Sequence, residues 1–337
     1  MSRATSCWFR YATPAGLVDH FVGTGGFFLA TCSDPESTSS FSGSYGCTGM
    51  TAYSPRVETF REEMIRLLPR VPNDRASLAT MHAMTTRDLI SAFVTWRMRL
   101  IPARPRIVRL WSGGITPVQF HAVRPQLQPL LQKVRRGEDL TPHLSDLVSR
   151  KGIVLPQARR AGDRERHDID TVLIRHSLHH FHVGPIESGN PKGRSAMLVF
   201  AEVLEKEFRI VAASDHSAFH PGRPEFQRIF RIASAYVAKD VPLGQAFMSN
   251  PVMSSGHAAL VMLFGVRCED QINRTDPQLD DPAFVDKLYE EHAIFKDGER
   301  VPRPGKPSFV WSFQDLKFGF LERTTKTFFC LSPFFAR

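Results

Sequence analysis

From about position 50 the apolar residues recur with helical spacing, and from about position 178 much of the chain shifts toward a period of two. Val57, Phe60, Met64, Leu67 and Leu68 stand three and four apart behind Ser54-Pro55. That pair supplies an N-cap and a proline at the first helical position, so a helix is predicted. A second helix is expected from Thr86, with Leu89, Ile90, Phe93, Val94 and Trp96 on a broad apolar face that ends by Pro102. Two short helices follow. One covers 125–134 with Leu127, Leu130, Leu131 and Val134; the other opens at Thr141-Pro142 and closes near Gly152. Residues 178–183, 195–203 and 208–214 read as strands, the last two joined as a hairpin through 204–207. Helical spacing returns over 223–237 through Phe226, Ile229, Phe230, Ala233 and Val237, whereas 252–266 fits helix or strand. Asp281 caps a helix expected over 282–292, and 309–335 alternates aromatic and polar residues around Asp315 and a Thr324-Thr325 turn, as strands do.

These elements predict an α+β fold, an antiparallel sheet packed against helices, with an N-terminal helical extension and a C-terminal α/β extension. Residues 1–49, rich in Ser, Thr and Gly, are expected to be a disordered tail. The helical extension then spans 50–115, the core with the candidate site 116–240, and the C-terminal extension 241–337. Met50, where the composition changes, reads as a candidate start of translation.

Charge changes the picture. Lys and Arg number 43 against 34 Asp and Glu, a formal net charge of +9 that favours polyanionic partners, nucleic acid first. Arg97, Arg99, Arg104, Arg106 and Arg109 crowd around Pro102 and Pro105 and read as a solvated linker in preference to a set of phosphate contacts. The longest apolar run, 259–266, is far short of the roughly 18 residues that span a bilayer, so no membrane partner is expected. The five cysteines form no C-x-x-C pair and read as free thiols of a reducing, cytoplasmic compartment. A Walker loop, a G-x-S-x-G elbow and a strand-bound G-x-G-x-x-G are all missing, which disfavours nucleotide-dependent, α/β-hydrolase and dinucleotide chemistry.

The sharpest chemical signal is histidine. Six of the 13 lie between His176 and His220: His176, His179, His180, His182, His216 and His220. On an extended strand His180 and His182 share a face, with His179, Phe181 and Val183 on the other. Paired imidazoles serve acid–base catalysis or metal binding, and each also reads as a hydrogen-bonded structural residue. A hairpin through 204–207 brings Arg194 and the neighbourhood of His216 to one end of the sheet. A two-residue turn places Arg194 and His216 on opposite faces, a three-residue turn on the same one. Asp215 orients the adjacent imidazole only if its side chain reaches back.

The run Leu178-His179-His180-Phe181-His182-Val183, the run Arg194-Ser195-Ala196-Met197-Leu198-Val199-Phe200 and the run from Phe208 to Phe219 together resemble the RelE/ParE toxin superfamily. The resemblance covers residues 125–219. It implies helices leading into an antiparallel sheet and a ribonuclease that cuts messenger RNA with basic and His residues and no metal. It also implies Arg194 as the arginine before the central strand and His216 as the histidine ending the last core strand. Phe219 falls near a position where the family often has Tyr. The family's toxins are small single domains, so the segments on either side of the match are additions.

Internal cleavage of RNA needs a base for the 2′-hydroxyl, a cation for the phosphate and an acid for the leaving 5′-oxygen. His180 or His182 is expected as base, Arg194 as phosphate clamp, His216 as acid, Phe219 as a base-stacking surface and Lys192 as an assistant. The expected partner is RNA, with the ribosome or an antitoxin protein beside it, and no cofactor. The alternatives are a metal-dependent hydrolase or metal-binding protein, with Zn on His180, His182 and a third ligand from His216, His176 or Asp215, and a non-catalytic RNA-binding module.

Overall fold

The structure, a computed structural model, describes residues 26–27, 53–145, 153–154, 170–183, 196–242, 248–291, 295–296 and 299–334. Of the segment expected to be a tail these include only Gly26–Phe27, paired antiparallel with Met248–Ser249. The fold class is α+β, as the pattern predicts.

Helix α1, Pro55–Leu67, starts where expected: Ser54 caps it by accepting from Val57 N, and Val57, Phe60, Met64 and Ile65 are buried. A short helix, α2 (Arg75–Ala83), precedes α3 (Thr86–Arg97), which buries Leu89, Ile90, Phe93 and Val94. The arginine-rich exit from α3 is not a solvated linker. Arg99 and Arg106 are buried, and Arg106, 6% exposed, donates from Nε to the Leu204 carbonyl at 2.8 Å and from Nη1 to the carbonyls of Pro102 and Arg104. A guanidinium satisfies several orphan carbonyls of an irregular segment at once, which makes its burial tolerable. The chain then runs straight into strand β1, Ile107–Leu110.

The helix expected over 125–134 is α4, Pro117–Arg136, and it begins two turns earlier. Thr116 and Gln119 close a capping box, and Pro125 and Pro129 lie inside the helix where a start signal was read. Both prolines are exposed and four residues apart. The backbone bonds they forfeit therefore fall on the solvent face, where water replaces the missing partners. Of the next expected helix the described residues contain one 3-10 turn, Thr141–His143.

Helix α5 (Thr171–His176) leads into β2 (His179–His182), β3 (Met197–Val203) and β4 (Glu207–Asp215). The sheet order is β1-β4-β3-β2, antiparallel except for β1, which runs parallel to β4. The hairpin turn is the two-residue kind: Leu204 N donates to Glu207 O at 2.9 Å around Glu205 and Lys206. Helix α6, Pro224–Ala238, packs Ile229, Ala233, Tyr236 and Val237 on the face that carries Leu198, Phe200 and Ala212. On the opposite face α4 sets Leu127, Leu130, Leu131 and Val134 against Phe181, Val199, Phe208 and Ile210.

The ambiguous segment resolves into helix α7, Ala259–Thr275, followed by α8, Pro282–Glu291. Gly265 permits the close approach of α7 to α3, since a Cβ there would stand 2.6 Å from Ser91 Oγ. Strands β5 (Phe309–Gln314), β6 (Lys317–Glu322) and β7 (Thr327–Pro333) form the expected antiparallel meander, turning at Asp315 with φ of 50°. The segments before and after the four-stranded sheet share one core: Phe60, Leu89 and Phe93 pack with Val261, Cys268, Trp311 and Phe318. No helix among the described residues is long and apolar enough to cross a membrane.

Asp276 ties this second core together. Its Oδ1 accepts from Trp311 Nε1 at 2.7 Å and from Arg56 Nε at 3.0 Å, joining α1, the end of α7 and β5. Removal leaves the buried indole N–H without its acceptor and takes one bond from the Arg56 guanidinium, which keeps Asp280 and the backbone carbonyl of residue 276. Asp276→Ala is therefore expected to lower the unfolding free energy by about 2–4 kcal/mol in urea denaturation, and a loss under about 0.5 kcal/mol contradicts this role.

Candidate functional site

Three strands and two short helical turns converge at one end of the four-stranded sheet. Helix α5 is capped by Asp170, whose Oδ1 accepts from Leu173 N at 3.0 Å, and it ends at Ser177 with φ of 56°. Beyond that left-handed residue the chain enters β2, where alternation sorts the histidines as expected. His179 lies on the α4 side, near Phe181, and its Nε2 donates to the Met98 carbonyl at 2.9 Å. His180 and His182 lie on the α6 side, 9% and 7% exposed, with ring centroids 5.9 Å apart.

His216 joins that face because of a β-bulge. Phe200 pairs with Ala212 but Ala201 pairs with Ile210, so Val211 is an extra residue on β4. The two-residue turn alone would set the end of β4 out of phase with β3. The bulge shifts the alternation by one, places Ser214 opposite Leu198, and turns His216 toward His182 at a centroid distance of 5.2 Å. Phe219, half-buried on the 3-10 turn His216–Phe219, packs edge-on against His180 at 4.8 Å. His180, His182, His216 and Phe219 are thus brought together, whereas Lys192 and Arg194 lie outside the described residues.

One end of this row reaches solvent. His216 is exposed, and behind it His182 and His180 are buried. At the inner end stands Asp170, which the sequence reading missed, with Oδ2 2.8 Å from His180 Nδ1. Burial opposes ionisation of Asp170, yet the charge of His180 and the contact with it prevail, helped by Leu173 N, and hold the carboxyl below the usual range. The Asp170-Thr171 pair is a legible N-cap, but nothing in its spacing from His180 marks the contact. His143 was also missed. Its Nδ1 donates to the His182 carbonyl at 3.0 Å, and burial pushes its imidazole below the ordinary value.

Two possibilities that the sequence left open are decided. Asp215 does not reach back to His216; its Oδ1 accepts from Ser217 N at 2.8 Å and caps the 3-10 turn. Those bonds to Ser217 hold its carboxyl below the usual range. His176 does not join the row either. It is 2% exposed, edge-on to Phe230 at 4.9 Å, with neither ring nitrogen hydrogen-bonded among the described residues. Among the described residues no three His, Cys, Asp or Glu side chains stand in an arrangement that holds a metal ion. Beside the row, Ser214 Oγ donates to Glu225 Oε1 at 2.7 Å, and Arg228 holds that carboxylate and the Ala213 carbonyl.

No protein-family model, curated protein or solved structure matches this chain.

Burial, with the charge of Arg175, pushes His176 down to about 4 from the ordinary 6.5. Between these values the unfolded chain takes up the proton first, so stability present above pH 6.5 is lost as the pH falls toward 4. The loss is expected to be on the order of 3 kcal/mol. Urea midpoints measured across that window should fall for the wild type and fall less for His176→Leu. Parallel pH dependences for the two proteins contradict the assignment.

Proposed function

We propose that this chain is a metal-independent endoribonuclease, and that the row of imidazoles ending at the exposed His216 is its catalytic centre. The observation that carries the reading is the convergence of His180, His182 and His216 on one sheet face, the first two buried and the last exposed. Imidazole is the side chain that both gives and takes a proton near neutral pH. In the reaction a base removes the proton of a 2′-hydroxyl, whose oxygen attacks the adjacent phosphorus. The bond to the 5′-oxygen breaks as an acid protonates it, leaving a 2′,3′-cyclic phosphate and a free 5′-hydroxyl.

His216, in solvent, meets the substrate first and serves as the acid. The base is His182, next in the row, with His180 behind it. Arg194 is assigned the phosphate, with Lys192 assisting and Phe219 at the edge of the base-binding surface. The net charge of +9 supports an RNA substrate. So does the stretch 89–137, which contains no carboxylate side chain and exposes Arg109, Arg124, Arg135 and Arg136. The resemblance to RelE/ParE toxins extends the reading to a cytoplasmic enzyme that acts with the ribosome and is restrained by an antitoxin protein.

Purified protein is expected to cleave RNA in the presence of EDTA, and His216→Ala and Arg194→Ala are each expected to lose about a hundredfold or more. Full activity in both variants overturns the assignment. Cleavage abolished by EDTA and restored by Zn assigns the row to a metal instead. Salt-sensitive binding without turnover identifies a non-catalytic RNA-binding module.

A further inference from the structure

Asp170 divides its two oxygens between two tasks. Oδ1 accepts from Leu173 N and so fixes the carboxylate on the first turn of α5, while Oδ2 faces His180 Nδ1 at 2.8 Å. The ring N–H is not aligned for a regular hydrogen bond, yet a nitrogen and a carboxylate oxygen this close favour a proton on the ring nitrogen, because two lone pairs at that distance repel. Phe219 packs edge-on against the same ring at 4.8 Å and restricts its freedom to turn. The carboxylate itself is walled by the second core. Thr95, Met98 and Arg99 from the end of α3 and Ala258 and Val261 from the start of α7 enclose, with Asp170, a cavity of about 10 Å³. That is at the lower limit for a single water, so solvent in this cavity offers little competition for the carboxylate.

We infer that Asp170 is the positioning residue of this site: it holds the proton of His180 on Nδ1 and so fixes the orientation of the imidazole row that ends at His216. The inference rests on the ribonuclease reading for its catalytic meaning, and on the geometry alone for its effect on His180. It also gives the second core a task, since the segments flanking the sheet shield the carboxylate on which the row depends. The charged and titratable groups around this end of the row include Arg99 just beyond α3, His257 against Thr95 before α7, Arg175 from α5, His179 and His182 on the strand of His180 itself, and His216 from the 3-10 turn.

Asp170→Asn and Asp170→Ser both keep a side-chain acceptor for Leu173 N, so the cap on α5 survives in each. In full-length protein labelled with nitrogen-15 at histidine, the wild type is expected to show His180 protonated on Nδ1. In Asp170→Asn the new amide donates to Nδ1 and the proton moves to Nε2. With the melting temperature retained, RNA cleavage by both variants should lose tenfold or more in kcat with little change in KM, and the acid limb of the pH profile should move. A tautomer unchanged in both folded variants overturns the assignment of Asp170, whatever happens to cleavage. A tautomer that shifts in a protein whose wild type cleaves no RNA supports the positioning role and overturns the ribonuclease reading.

Discussion

The extra residue at Val211 decides what this sheet presents to solvent. Side chains on a strand alternate strictly, and the two-residue turn at Glu205 and Lys206 fixes the phase of β4 against β3 from the hairpin outward. Near the turn that phase serves packing: Arg209 bonds Tyr236 Oη and stands near Glu202 on the α6 side, while Phe208 and Ile210 fill the core against α4. Farther along, the same phase would send His216 away from His180 and His182. One inserted residue reconciles the two demands. It costs the ladder a regular pair at a buried position, where Val211 and Ala212 are both enclosed by α6.

Much of this architecture is legible in the amino-acid sequence because the apolar spacing is clean. Helix α1 behind Ser54-Pro55, the strands β2 to β4 and the aromatic meander at 309–333 all follow from periodicity and capping. Other features obey physics that a local window does not contain. Pro125 and Pro129 look like a boundary and are helix interior, because a strong capping box at Thr116 and Gln119 and a buried Leu127, Leu130, Leu131 and Val134 face outweigh two lost backbone bonds on the wet side. Arg106 looks solvated and is buried, because the carbonyls that receive it come from a turn far along the chain, at Leu204.

The candidate site divides the same way. His180 and His182 sharing a face follows from strand geometry. The approach of His216 does not, since a bulge is set by packing across the sheet and leaves no mark in the local pattern. Asp170 is the clearer case still: its role as a cap is written beside Thr171, while its contact with His180 depends on the left-handed turn at Ser177 that folds α5 back along β2. The stretch 125–219 includes Asp170 and α5 but neither α3 nor α7, yet residues at the end of α3 and the start of α7 wall the carboxylate at the inner end of the row.

The core shared by α1–α3 and α7–β7 has a consequence for how the chain reaches this state. During synthesis the first three helices emerge with much of their apolar faces open, and most of the residues that cover those faces arrive only after 98–258 has been made. The four-stranded sheet with α4 and α6, by contrast, has all its partners once Ala238 has left the ribosome. The sheet is therefore the unit that condenses first, as a structure of largely neighbouring segments, and it carries the two ends of the chain toward each other. Closure of the outer core then comes last and over the longest separation, with the entropy of the intervening loop already spent by a folded insert. Asp170 becomes enclosed only in that final step, so the imidazole row assumes its finished arrangement when the whole chain has folded and not before.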